Sequence, residues 1–223
     1  MHQKVVAIDG PAGAGKTTVA RALAARLGYV YLPSGTFYRA LAWKALETGT
    51  PLDDEAALAR LADATAIDVR VADDGCCVAR VDGTDVSAAL GSAAVGDAAS
   101  RISVFPEVRR RMVELQRRFA QERSIVAEGR DMASVVFPKA EHKFYLDASV
   151  EERARRRAVD LRERGEEADE GRLVDEIAAR DRRDSSRQAA PLRQVEGAVR
   201  VDTTRLSVEE VVERLLRAMG HRA

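Results

Sequence analysis

A glycine-rich stretch near the start of the chain has the residue types and spacing needed to hold phosphate groups. The sequence IDGPAGAGKTT, residues 8–18, fits the pattern G-x-x-x-x-G-K-[ST] from Gly10 to Thr17. Its glycines let backbone N–H groups surround phosphate oxygens, Lys16 can reach the β- and γ-phosphates, and the Thr17 hydroxyl can bind Mg²⁺. The stretch predicts an ATP-type triphosphate site formed by Gly10, Pro11, Ala12, Gly13, Ala14, Gly15, Lys16, Thr17 and Thr18.

The residues on either side of this loop favour a phosphate-binding role over a glycine turn without function. An apolar run predicts a strand that ends at Asp9, and an apolar stripe predicts a helix over Lys16–Leu27. A helix that begins at the loop directs its partial positive charge toward a bound anion.

A triphosphate site alone does not identify the reaction. A GTP-dependent switch would carry D-x-x-G and N-K-x-D motifs, but no glycine here has an aspartate three places before it, and the chain contains no asparagine. A mechanical ATPase is harder to exclude, because Glu128 follows an apolar strand and could polarise water. The small chain shows no partner-facing module, which favours a kinase.

The acceptor can be inferred from the kind of charged residue found at the strand ends. A monophosphate acceptor has a second pKa of about 6, so it is largely a dianion at neutral pH and needs cations more than a base. Arg39 follows the second predicted strand and Arg130 the third. Because strand ends on the carboxyl side of a doubly wound sheet converge on the ligand crevice, we expect both arginines to reach the acceptor phosphate.

The hydrophobic pattern predicts an α/β fold, with a doubly wound five-stranded parallel sheet and helices on both faces. Short apolar runs alternate with helical patterns along the chain. The predicted strands are Val5 to Asp9, Tyr29 to Leu32, Ser124 to Ala127, Lys143 to Asp147 and Ala198 to Asp202.

Two segments interrupt this alternation. Residues 67–86 show period-two runs around Asp73-Asp74-Gly75, which predicts a small antiparallel insertion with a turn at those residues. Residues 161–187 are dense in charge and poor in large apolar side chains, which favours a mobile lid. A solvated helical hairpin is the alternative for this second segment.

Composition excludes several other functions. The 223 residues have a formal net charge of +0, so no overall basic field favours a nucleic acid polymer as partner. The apolar runs are too short for a signal peptide or a membrane span, and we expect a cytoplasmic protein. Cys76 and Cys77 are adjacent, which is poor geometry for a disulfide, and His2, His142 and His221 lack metal-ligand spacing.

Five segments in order resemble the bacterial cytidylate kinases, a family of P-loop nucleoside monophosphate (NMP) kinases. They are IDGPAGAGKTT, PSGTFYR, AASRISVFPEVR, EGRDMASVVFP and RDRRDSSRQAAPL, and the resemblance covers nearly the whole chain. It implies transfer of the γ-phosphoryl group of ATP, with Mg²⁺, to CMP or dCMP. The alternatives are a kinase for another monophosphate or small metabolite, and a non-kinase ATP-binding module.

The resemblance also implies roles for individual residues. Ser34, Arg39 and Arg130 would lie near the acceptor phosphate, and Thr17 would be the metal ligand. The remaining substrate residues would be Ser100, Arg109 and Asp131 at the cytosine ring, with Arg180, Asp184 and Arg187 on the lid side. The implied catalytic set is Lys16, Arg39, Arg130, Asp131 and Arg180.

The family pattern implies one NMP kinase domain over 1–223, and we expect the protein to be a monomer. Its core would comprise about 1–65, 105–160 and 188–223, its monophosphate-binding insertion about 66–104, and its helical lid about 161–187. One departure is visible, since the usual acidic residue before the serine of PSG is Pro33 here.

Overall fold

A five-stranded parallel sheet forms the centre of the computed structural model, which describes residues 4–72, 77–121, 123–163 and 165–221. The turn predicted at 73–75 lies outside the described residues, as do Cys76 and His2. The strands are β1 (Val5–Asp9), β2 (Val30–Pro33), β3 (Ile67–Val71), β4 (Cys77–Val81), β5 (Thr84–Asp85), β6 (Ile125–Gly129), β7 (His142–Asp147) and β8 (Val199–Asp202).

The strand order in the main sheet is β2-β6-β1-β7-β8, and each neighbouring pair is parallel. The five predicted strands are therefore confirmed, with small differences at their ends. All five carboxyl ends lie on one edge of the sheet, which is the edge where the glycine loop and residues 130–131 begin.

Helices cover both faces of this sheet, as a doubly wound fold requires. They are α1 (Lys16–Leu27), α2 (Ser34–Glu47), α3 (Glu55–Ala64), α4 (Ala93–Ile102), α5 (Pro106–Phe119), α6 (Val150–Glu163), α7 (Glu170–Ser186) and α8 (Val208–Ala218). Phe37, Ile102 and Met112 belong to the apolar core on one face, whereas Leu23 and Leu215 belong to the core on the other.

The predicted antiparallel insertion is also present. Strands β3, β4 and β5 form a separate three-stranded sheet in that order, with antiparallel pairing. Ala79 and Val81 of β4 are buried in the same core as Phe37, so the insertion packs onto one helical face instead of standing apart.

The segment expected to form a lid is part of a helical pair. Helix α6 begins at Val150, before the predicted boundary at residue 161, and packs against α7. The pair has its own small apolar cluster, which includes Ala158, Leu161, Leu173 and Ile177. Within the described part of the chain, no helix is long and apolar enough to cross a membrane.

Candidate active site

The glycine loop takes a conformation that its residue types make possible. Gly10, Gly13 and Gly15 have φ values of 153°, 78° and 80°, a region that residues with a side chain rarely adopt. A Cβ at Gly10 would clash with the carbonyl oxygen of Leu146, and a Cβ at Gly13 would lie 2.9 Å from Cβ of Arg153. The glycines therefore let the loop lie directly against β7 and α6.

Lys16 is the first residue of α1 and is 5% exposed. Its Nζ donates a hydrogen bond to the carbonyl oxygen of Pro11 at 2.6 Å, so the side chain folds back over the loop. Burial, followed by the positive charge of Arg130, lowers the pKa of Lys16 to about 7. A polyanion next to this ammonium group would favour its charged form.

Thr17 lies beside a carboxylate from a neighbouring strand. Its hydroxyl donates to Oε1 of Glu128, at the end of β6, across 3.2 Å. Hydroxyl and carboxylate oxygens are the protein ligands that suit Mg²⁺, which commonly keeps several waters and phosphate oxygens as its other ligands. The donor atoms present thus fit a nucleotide-bound Mg²⁺ ion. The described residues contain no group of three or more His, Cys, Asp and Glu side chains able to hold a metal ion.

Arg130 lies between the strand end and α7. Its Nε donates to the carboxylate of Asp184 at 2.8 Å. Arg180, one helical turn earlier on α7, has a buried Nε that finds no hydrogen-bond partner in the described residues. Burial, and next the charge of Arg130, lowers the pKa of Arg180 to about 10. The structure therefore brings together two lid-side residues and one strand-end arginine that the sequence analysis singled out.

A second buried cluster joins α5, the turn after β6 and the end of α7. Arg109 and Asp131 form an ion pair in which both side chains are 5% exposed. Arg187 lies on the other side of the same carboxylate, with its Nη2 3.9 Å from Oδ1. The guanidinium of Arg109 also lies over the ring of Tyr38, 5.6 Å from its centroid.

The other predicted substrate residues occupy separate positions around this cluster. Ser34 begins α2, and its carbonyl oxygen accepts a hydrogen bond from buried Gln116 at 3.4 Å. Arg39 on the same helix donates to the carbonyl oxygen of Leu90 at 2.5 Å. Ser100 on α4 is buried, but its hydroxyl has no hydrogen-bond partner in the described residues, so Ser100 is not hydrogen-bonded to Arg109 or Asp131.

Two connections at this site were not found from the sequence. Arg153 of α6 donates through Nη1 to the carbonyl oxygen of Ala12 at 3.1 Å and to Asp181 of α7 at 2.5 Å. The sequence does not separate this arginine from Arg155, Arg156 and Arg157, which follow it on the same helix. Arg153 and exposed Arg155 both flank buried Ala154, so the local sequence held no signal that distinguishes them.

The other connection is made by Asp9, the last residue of β1. Its two carboxylate oxygens accept hydrogen bonds from the backbone N–H groups of Met132 and Ala133, each at 2.8 Å. These residues open a π-helical turn, Met132–Val136, directly after Asp131. Burial raises the pKa of Asp9 to about 6, although both N–H groups act in the opposite direction. Asp9 therefore connects the end of β1, directly before the glycine loop, to the turn after β6 through two hydrogen bonds.

Comparison with known proteins identifies relatives of the whole chain. A family model described as cytidylate kinase matches residues 6–221. A cytidylate kinase from Symbiobacterium thermophilum is 49% identical over 216 residues, which cover 97% of this chain and 96% of that protein. A cytidylate kinase from Geobacillus kaustophilus is 48% identical over 217 residues, with coverage of 97% and 96%.

Among solved structures, an uncharacterized protein from Eubacterium ventriosum aligns over 99% of this chain and 100% of its own, with a TM-score of 0.53. Its sequence is 12% identical, so the likeness is one of fold alone.

We predict that Asp9→Asn changes the pH dependence of folding stability. The pKa of Asp9 rises from 3.8 to about 6 on folding. The folded protein therefore binds this proton more tightly, and the contribution of Asp9 to stability falls as pH rises through that window. The unfolding free energy of the wild type relative to the variant should be about 1 kcal/mol greater at about pH 5 than at about pH 7.5.

Denaturant unfolding of both proteins at the two pH values measures this difference. A difference that did not change with pH would show that Asp9 does not titrate in this window.

Proposed function

The chain belongs to the cytidylate kinase family, and we propose that it transfers the γ-phosphoryl group of ATP to CMP or dCMP, giving ADP with CDP or dCDP. The observation that carries the proposal is the meeting of a phosphate loop with two half-buried arginines, Arg130 directly after β6 and Arg180 on α7, at one edge of the sheet. Lys16 is coupled electrostatically to Arg130 and Arg180, so donor and acceptor cations occupy one shared region.

The acceptor side needs cations because its nucleophile is a phosphate oxygen that is already ionised at neutral pH. Two polyanions must approach each other, and their repulsion is the main barrier that fixed positive charges can reduce. In this proposal Arg39 and Arg130 hold the acceptor phosphate beside Ser34. Arg180 reaches from the lid side toward the phosphoryl group that moves.

The donor is proposed to bind in the loop from Gly10 to Thr18, with Lys16 on the β- and γ-phosphates. Thr17 would hold Mg²⁺, and Glu128 would act on the ion directly or through water. A bound Mg²⁺ ion would neutralise charge shared between the β- and γ-phosphates. The loop and α1 supply the orientation of the triphosphate, since backbone N–H groups at a helix start favour anions.

We propose three functional parts within one domain: a core, a monophosphate-binding insertion over about 66–104, and a lid over about 161–187. Asp184 and Arg187 would contact the acceptor from the lid side, and Ser100, Arg109 and Asp131 would read its base. The monomeric state and the cytoplasmic location stay predictions.

The first prediction from the proposed function concerns the reaction itself. The wild type should form ADP with CMP and dCMP much faster than with UMP, AMP or shikimate, and Lys16→Ala should lower kcat roughly 10³-fold or more. Coupled measurement of ADP formation over this panel tests both statements. Faster ADP formation with another acceptor would identify a kinase for that substrate. ADP formation at the same rate with and without every acceptor would favour an ATP-binding module that is not a kinase.

A second prediction concerns the choice of base. Cytosine presents an amino donor where uracil presents a carbonyl, so a carboxylate at that point can discriminate by roughly 10⁴-fold. Asp131→Asn should therefore lose most activity with CMP and narrow the CMP:UMP ratio of kcat/KM. Arg39→Ala, the matched control, should weaken both substrates alike because it acts on the phosphate.

An unchanged CMP:UMP ratio in Asp131→Asn would remove this residue from base recognition. It would leave Asp131 with the structural task of separating Arg109 from Arg187.

A third prediction concerns the lid. Its charged surface would close over two polyanions, so amide hydrogen exchange in about 161–187 should slow when CMP and a non-hydrolysable ATP analogue are both bound. Helix α8, which packs against α1 in the core of the main sheet, serves as the internal control. Equal exchange in the lid with and without both ligands would argue against closure.

A further inference from the structure

Glu128 is held by hydroxyl groups from two different elements. Thr17 of α1 and Tyr31 of β2 each donate a hydrogen bond to the same oxygen, Oε1, at 3.2 Å. No hydrogen bond from the described part of the chain reaches the second oxygen, Oε2. The carboxylate is thus fixed through one oxygen, which leaves the other able to accept a further ligand.

The register of the sheet explains why Tyr31 can reach this carboxylate. Pro33 of β2 is the partner of Glu128 in the parallel β2–β6 pair. Tyr31 lies two residues before Pro33, so both side chains are on the same face of the strand. Pro33 has no polar side chain, and Glu128 is therefore the one carboxylate of this paired position.

Tyr31 is itself fixed in place. Its side chain belongs to the core beneath α1 and is 5% exposed, and the guanidinium of Arg21 lies 5.4 Å from its ring centroid. The hydroxyl is the polar end of an otherwise apolar side chain, and it is aimed at the carboxylate.

These groups border a cavity of about 240 Å³. Its lining includes Thr17, Tyr31, Pro33, Arg39 and Glu128. The cavity therefore connects the predicted metal ligand Thr17 with Arg39, which is predicted to bind the acceptor phosphate. A cation bound by Thr17 and Glu128 would lie beside this space.

We propose that Tyr31 is a positioning residue for the divalent cation that accompanies ATP. With Thr17, its hydroxyl holds Glu128 in one orientation, so that a single glutamate can serve the ion. Glutamate has more rotatable bonds than aspartate, and a fixed partner removes the loss of side-chain freedom that binding would otherwise require. Groups that orient a metal-binding carboxylate commonly affect metal affinity about tenfold or more.

The inference rests on the proposed function only in taking ATP as the bound triphosphate. Its test measures metal binding and not the reaction. Electron paramagnetic resonance can measure Mn²⁺ affinity in the complex with a non-hydrolysable ATP analogue. Tyr31→Phe keeps the ring and its contact with Arg21 but removes the hydroxyl, and it should weaken Mn²⁺ binding roughly tenfold. Analogue binding without metal should be unchanged.

Two comparisons separate positioning from a general structural effect. Tyr29→Phe, a half-buried tyrosine just before β2, is the matched control and should leave Mn²⁺ affinity unchanged. Glu128→Gln should lose at least as much Mn²⁺ affinity as Tyr31→Phe. The double variant, Tyr31→Phe with Glu128→Gln, should bind Mn²⁺ no more weakly than Glu128→Gln alone, because no carboxylate is left for Tyr31 to position.

Unchanged Mn²⁺ affinity in Tyr31→Phe would overturn the inference. So would losses that simply add in the double variant, since additive effects mean that Tyr31 does not act through Glu128. Failure of the proposed function would appear differently, as a wild type that binds Mn²⁺ with the analogue but does not phosphorylate CMP.

Discussion

The crowding of positive charge around buried Lys16 is the constraint on which the arrangement of the candidate site depends. Lys16, Arg130 and Arg180 share one region, and burial together with their mutual repulsion lowers the pKa of Lys16 to about 7 and of Arg180 to about 10. Asp184 of α7 offsets part of this repulsion between positive charges by forming an ion pair with Arg130. Because Arg180 and Asp184 are four residues apart on one helix, the same face of α7 brings both a cation and its counter-charge. A phosphate ligand would add to this neutralisation, which is why such a cluster suits a polyanion better than a neutral substrate.

A second constraint is that the glycine loop and the turn after β6 must keep a fixed position relative to each other. β1 leads into the glycine loop, and β6 leads into the turn that carries Arg130 and Asp131. The two strands are paired in parallel, with Asp9 opposite Gly129, so their ends already lie side by side. The hydrogen bonds from Met132 and Ala133 to Asp9 extend this pairing beyond the sheet. The turn that carries Arg130 is therefore anchored by a carboxylate that comes directly before the loop.

Much of the fold could be predicted from the sequence because its signals are local. Apolar runs and stripes indicated the five parallel strands and α1, and period-two alternation indicated the antiparallel insertion. The charged segment after residue 161 was harder to predict, since α6 and α7 are stabilised by a small cluster of their own that includes Leu173 and Ile177. That cluster forms only when the two helices meet, and neither helix alone has a broad apolar face. The ion pairs Arg153–Asp181 and Arg187–Asp131 join distant segments, and no local pattern specifies such partners.

The arginines of α5 show that helical position could have identified one residue of the candidate site, whereas those of α6 give no such signal. On α5, Arg109 lies three and four residues before buried Met112 and Val113, on the apolar stripe, whereas Arg110 is exposed and pairs with surface carboxylates. On α6 this rule does not separate buried Arg153 from exposed Arg155, because both are adjacent to buried Ala154. A charged group on a buried stripe is costly unless a partner compensates it. In this chain the partners of buried Arg109 and Arg153, Asp131 and Asp181, belong to the turn after β6 and to α7, so each arginine links the helix that carries it to another part of the candidate site.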